Sequence, residues 1–161
     1  MNPTDDLGTI LPGTGVANLR LGMTKDQVRA IMGKPDSITT DDFPDDSESI
    51  SLHYPAQGLS FDFGSDNKYV LDTIRSERPD IRLFDRVLSG LSVKDALSLF
   101  EAQSHLPESD PLTFTDDDGS QVRAYDFDSL SLTLWFVNDA LDAVQIGTFW
   151  ADEDTPLFPE S

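Results

Sequence analysis

Leu19-Arg20-Leu21-Gly22-Met23-Thr24-Lys25-Asp26-Gln27-Val28-Arg29-Ala30-Ile31-Met32 decides the fold, because a version of it comes back. At an offset of 68 the chain reads Val87-Leu88-Ser89-Gly90-Leu91-Ser92-Val93-Lys94-Asp95-Ala96-Leu97-Ser98-Leu99-Phe100. Each stretch opens as a short strand. A glycine, an apolar residue, a Thr or Ser cap and an amphipathic helix follow. Thr24 with Gln27 three positions on forms a capping box, in which the hydroxyl takes an orphan helix N–H and the amide reaches back. Ser92 with Asp95 is a weaker form of it. Met23 and Leu91, just before the caps, are placed to pack on Val28 and Ala96 as hydrophobic staples. Val28, Ile31 and Met32, like Ala96, Leu97, Leu99 and Phe100, follow helical spacing. Gly33 and Pro35 stop the first helix, and the second fades over 103–107.

Working outward, the rest of the unit recurs too. Residues 54–63 match 125–134 at an offset of 71. In these segments Leu59, Phe61 and Phe63, like Leu130, Leu132 and Leu134, alternate with polar residues, the period of a half-buried strand. Val70-Leu71-Asp72-Thr73-Ile74 then matches Ala140-Leu141-Asp142-Ala143-Val144. The pattern predicts an α+β protein of two tandem units of about 70 residues. Each unit is one or two helices packed on an antiparallel three- to four-stranded sheet. The first spans 8–78, the second 79–150, and 151–161 reads as an acidic extended tail. Strands are expected near 16–21, 50–54, 59–64 and 69–75, then near 81–88, 112–115, 121–127, 130–137 and 141–149. The two sheets can join into one curved surface with a face left open for a partner.

Gly-Met-Thr-Lys-Asp-Gln-Val-Arg-Ala-Ile-Met-Gly-Lys-Pro, residues 22–35, resembles the helical signature of the β-lactamase-inhibitor-protein-like superfamily. That group includes small outer-membrane assembly lipoproteins with one unit and secreted β-lactamase inhibitors with two. The resemblance implies a non-enzymatic scaffold that binds another protein with its sheet face and loops. The chain departs from both groups in having no cysteine, which removes the disulfides of the inhibitors and the lipid anchor of the lipoproteins. No site residue is carried over.

Composition narrows the function. Among 161 residues, 30 are acidic and 11 are Lys or Arg, a formal net charge of -19. Residues 1–80 hold 14 acids and 7 bases, and 81–161 hold 16 and 4, so the second half is the more acidic. Such a charge argues against direct nucleic-acid binding, which needs phosphate neutralisation. Apolar residues at 38% are enough for a real core. No stretch is long and apolar enough to span a bilayer, so no membrane partner is expected. The N-terminal residues have neither a basic nor an apolar leader region, and a cytoplasmic location is expected. Without Cys, and with 2 His, neither a metal site nor a nucleophile motif stands out. No catalytic residue, metal ligand or cofactor is assigned, and the oligomeric state is left open.

Three features are candidates for partner binding. One is the acidic run Asp41, Asp42, Phe43, Asp45, Asp46 and Glu48, read as a loop between the first helix and the next strand, with Phe43 as an anchor. The second is Asp116-Asp117-Asp118-Gly119. As a calcium loop it would put Phe114 first and Tyr125 twelfth, where Glu is needed, so it reads as a hairpin turn. The third is Trp135 with Phe136, which point to opposite sheet faces, one into the core and one outward. The resulting expectation is a protein-binding module, most concretely an acidic inhibitor or immunity-type protein that caps a basic partner. The alternatives are an acidic scaffold or regulatory subunit held through apolar contacts, and an enzyme built on carboxylates.

Overall fold

The computed structural model describes residues 7–44, 46–65, 68–107, 110–152 and 155–157. In chain order the strands and helices are β1 (Ile10–Leu11), β2 (Gly15–Val16), β3 (Leu19–Arg20), α1 (Lys25–Met32), β4 (Ser37–Asp42), β5 (Glu48–Tyr54), β6 (Leu59–Gly64) and β7 (Leu71–Ser76). Then come β8 (Arg82–Leu83), β9 (Arg86–Val87), α2 (Val93–Ala102), β10 (Leu112–Thr115), β11 (Gln121–Phe127), β12 (Leu132–Val137), β13 (Ala140–Gly147), β14 (Phe149–Asp152) and β15 (Thr155–Leu157). The class is α+β. Eight strands form one antiparallel sheet in the order β10-β11-β12-β13-β7-β6-β5-β4.

The register explains why both helices lie on one side. Leu52, Phe61, Ile74, Ile146, Leu132 and Phe127 stand side by side across six strands, and all are buried. One residue along each strand, His53, Ser60, Arg75, Gln145, Thr133 and Asp126 form a polar row on the other face. Period-2 alternation thus gives the sheet an inner and an outer side. The helices cover the inner side: Phe100 of α2 packs on Phe127 with ring centroids 4.5 Å apart. The Tyr54 hydroxyl donates to the Gly33 carbonyl at 2.8 Å, fastening the end of α1 to β5. The capping box is present in full: Thr24 Oγ1 accepts from Gln27 N–H, and Gln27 Oε1 accepts from Thr24 N–H. At α2, Ser92 caps Asp95 N–H, and Asp139 Oδ1 accepts from Val93 N–H.

The two halves meet at β7 and β13, where Ser76 faces Val144, Arg75 faces Gln145 and Ile74 faces Ile146. Buried side chains from both halves form one continuous core. Similar backbone bonds recur in the two halves. Gly22 N–H donates to Leu71 O and Leu71 N–H to Met23 O; Gly90 N–H donates to Leu141 O and Leu141 N–H to Leu91 O. The turns before β7 and β13 both place two residues at positive φ, Lys68 with Tyr69 and Asn138 with Asp139.

Several expected elements differ. The strand expected over 81–88 is a hairpin, β8 paired with β9, because Phe84 and Asp85 both take positive φ and reverse the chain. The strand expected over 16–21 is broken at Ala17, also at positive φ, so that β2 folds back on β3 and pairs with β1 on its other side in a three-stranded sheet. The strand expected over 130–137 begins only at Leu132, since Ser131 lies at positive φ in the preceding turn. In place of one strand over 141–149, β13 ends at Gly147 and Phe149 begins β14, which pairs with β15. Of the expected tail over 151–161, positions 153–154 and 158–161 lie outside the described residues.

Candidate protein-binding face

The acidic run at 41–48 is a hairpin, which corrects the loop expected there. Asp41 and Asp42 end β4, Glu48 opens β5, and Ser37–Asp42 pairs residue by residue with 48–53. β4 escaped notice because Ser37-Ile38-Thr39-Thr40-Asp41-Asp42 has no apolar alternation; its register comes from β5. The turn is closed by Phe43 N–H to Ser47 O and Asp46 N–H to Phe43 O. Phe43 is 48% exposed. Asp42 faces Glu48 directly, a like-charge pair, and the Tyr69 hydroxyl donates to Glu48 Oε1. Asp45 lies outside the described residues.

Asp116, Asp117 and Asp118 make the turn between β10 and β11, as a hairpin reading requires. Gly119 N–H donates to Asp116 O, Asp117 N–H to Asp116 Oδ1, and Ser120 N–H to Asp118 Oδ1. Hydrogen bonds from Ser120 hold the Asp118 carboxyl below the usual carboxylate range. The two acidic turns do not converge. β4 and β10 are opposite edges of the sheet. Measured from the row that holds His53 and Asp126, the first turn lies beyond Glu48 and the second beyond Gln121, at opposite ends of the strands.

Trp135 and Phe136 separate as alternation demands. Phe136 is 1% exposed and meets Tyr125 edge-on, so it is a core residue and not a contact for a partner. Trp135 is half-buried on the outer face. Its Nε1–H donates to Gln145 Oε1 at 2.9 Å, and the Arg75 guanidinium lies 5.4 Å from its ring centroid. Arg75 is itself held by Glu77 at 3.0 Å. A hydrogen bond at one end and a cation over its face fix the indole in advance of any contact.

Trp135 belongs to an apolar outer surface that the sequence did not single out. Leu112, Ala124, Trp135 and Ala143 stand in one cross-strand row, and Phe114, Val122, Val137 and Ala140 in the next. Leu112 is 59% and Phe114 44% exposed, whereas Val122, Ala124 and Ala143 in these rows are buried. The alternation of Leu112-Thr113-Phe114-Thr115 was the available signal. Towards β4 the outer face turns polar. His53 bridges Ser60 Oγ and Thr39 Oγ1, and Ser51 Oγ donates to Asp62 Oδ1 at 2.6 Å. Burial pushes the Asp62 carboxyl up, against the opposing pull of the Ser51 hydrogen bond and of His53.

A shallow depression beside Gly147 is lined by Thr73, Gln145, Thr133 and two acidic residues, Asp126 and Asp128, among others. Asp126 is already engaged by Thr133 Oγ1 at 2.6 Å. Among the described residues no group of three or more His, Asp or Glu is placed to hold a metal ion.

The family model described as "Outer membrane protein assembly factor BamE domain" matches residues 8–48. The match runs from the β1–β3 sheet through α1 and β4 to the start of β5, about a quarter of the chain, and contains the 22–35 signature. No curated protein and no solved structure matches. The match agrees with the resemblance to small outer-membrane assembly lipoprotein units. It overturns the cytoplasmic location expected from the N-terminal residues, because the matched domain is that of an outer membrane assembly factor. The expectation that no membrane is involved has no support from it either. Among the described residues no helix is long and apolar enough to cross a membrane.

Proposed function

We propose that the chain is a non-enzymatic protein-binding module of envelope assembly, which holds a basic partner protein against the outer face of β10–β12. One observation carries the reading: a prefixed Trp135 beside exposed Leu112 and Phe114, bordered by the acidic turn at Asp116–Asp118. An aromatic anchor with apolar neighbours and a charged rim is the usual anatomy of a binding patch. The match over residues 8–48 supports the envelope setting. The inhibitor or immunity-type form of the reading adds that docking blocks the partner's activity.

We also propose that 8–78 and 79–150 are two copies of one unit, related by a pseudo-twofold axis at the β7–β13 seam. Strand order supports this, since it reads outward from the seam as β7-β6-β5-β4 and as β13-β12-β11-β10. With an offset of 70, Arg75 and Gln145 are equivalent positions and face each other, as two-fold pairing requires.

Pull-down from envelope extract in salt steps tests the binding role. A stoichiometric basic protein, released by salt and lost with Trp135→Ala, is the expected result. Capture that ignores salt, yet is lost with Trp135→Ala, would favour the scaffold held by apolar contacts, for which Leu112 and Phe114 speak. Capture indifferent to Trp135→Ala would sink the assignment of this face.

A further inference from the structure

The sheet has two free edges, and their chemistry differs. An edge strand presents unpaired N–H and C=O groups, and proteins commonly guard such edges with charge, proline, bulges or a covering element. β4 is guarded by charges on the strand itself, Asp41 and Asp42. β10 is not. Leu112-Thr113-Phe114-Thr115 carries no charge, no proline and no bulge, and all four residues are exposed. Its partner on one side is β11, and among the described strands none pairs with its other side. The charges stand just beyond the strand ends, at Asp110 before it and Asp116, Asp117 and Asp118 after it, all exposed.

The geometry points to β10 as a strand-addition site for an extended, basic segment of a partner protein, with alternate apolar side chains laid beside Leu112 and Phe114. This rests on the protein-binding reading above and adds how the partner is held. Backbone bonds along β10 supply the pairing, and Leu112 and Phe114, adjacent to the added strand, select apolar side chains on the outer face. The carboxylates beyond each end of the strand select Lys or Arg in the flanks. A second copy of this chain fits worse. In an antiparallel β10–β10 pair, the Asp116–Asp118 turn of one copy would meet the Asp110 end of the other, acid against acid.

The test uses the full chain and a probe peptide, acetyl-(Lys-Val)4-amide, with NMR amide exchange and titration as readouts. Exchange at those amides of Leu112–Thr115 that point away from β11 is expected to slow at least tenfold, with β4 unchanged. The same peptide with its central amides N-methylated, and acetyl-(Glu-Val)4-amide, are expected to give no protection. Leu112→Ser with Phe114→Ser should weaken binding at least tenfold without changing the melting curve, since both side chains are exposed. Equal protection of β4, or binding indifferent to N-methylation, would overturn strand addition at β10. So would a dimer in sedimentation equilibrium that dissolves in the Leu112→Ser/Phe114→Ser variant, which would assign the edge to a second copy. If Trp135→Ala still removes the captured partner while β10 stays unprotected, the face reading stands and the edge proposal fails. If the peptide protects β10 but capture ignores Trp135, the edge stands and the face reading fails.

Discussion

Ser76 is 1% exposed at the seam, and its hydroxyl finds no hydrogen-bond partner. It stands between Leu59 and Val144 in the inner row, so both cross-strand neighbours are apolar. A buried hydroxyl without a partner loses its hydration for nothing, so Ser76→Ala is expected to raise stability by roughly 1 kcal/mol; urea unfolding of the two proteins measures it. A loss would show that the hydroxyl has an unrecognised partner. Asp62 is the second case. Burial raises its pKa in the folded state above the unfolded value, with Asp41 adding and Ser51, His53 and Arg75 opposing. The folded state therefore holds a proton at pH values where the unfolded chain has released it. Above that folded pKa the ionised Asp62 costs stability, and the cost fades as pH falls through it. Asp62→Asn, which still accepts from Ser51, should raise Tm at neutral pH and leave it unchanged in strong acid. An equal gain at both pH values would count against the ionisation argument.

At the scale of elements, caps and turns decide where the chain bends. α1 has 8 residues, too few to persist alone, so its capping box matters. Thr24→Ala is expected to cost about 1 kcal/mol, read from urea midpoints. Both helices, the strands β6 and β11 and the Asp116–Asp118 hairpin were legible because periodicity and caps are local signals. What escaped were reversals made by residues that do not advertise them. Phe84 and Asp85 adopt the left-handed region at φ 56 and 60 because Phe84 wedges between Phe100 and His105. A nonlocal contact there overrides a local preference. Asp85 is exposed and gains little from the strain, so Asp85→Gly should raise Tm, by up to roughly 1 kcal/mol in stability. The patch around Trp135 was half legible. Alternation placed Trp135 and Phe136 on opposite faces, but which one faced out depended on where the helices packed. Arg75, which holds the indole, lies in the other half of the chain, and no sequence spacing announces that contact.

At the scale of the molecule, the open question is whether two halves that read as repeats behave as two bodies. The seam argues that they do not. Ile74 and Ile146 are fully buried partners across β7 and β13, and the hydrophobic cluster runs through them from Val28 to Phe136. Removing that pairing would expose two strand edges and the buried side chains that meet at the seam. Each half would keep its own helix but lose the part of the core that the two share. The expected result is one cooperative urea transition, with amide protection in β6 and in β12 lost at the same midpoint. Ile146→Ala, which lies in the second half, should lower that shared midpoint, a loss of about 2–5 kcal/mol in stability, and destabilise β6 as much as β12. If β12 unfolds first and leaves β6 protected, the halves are separate folding units that merely dock. The Trp135 site, which borrows Arg75 from the other half, would then come apart with the seam while each unit stayed folded.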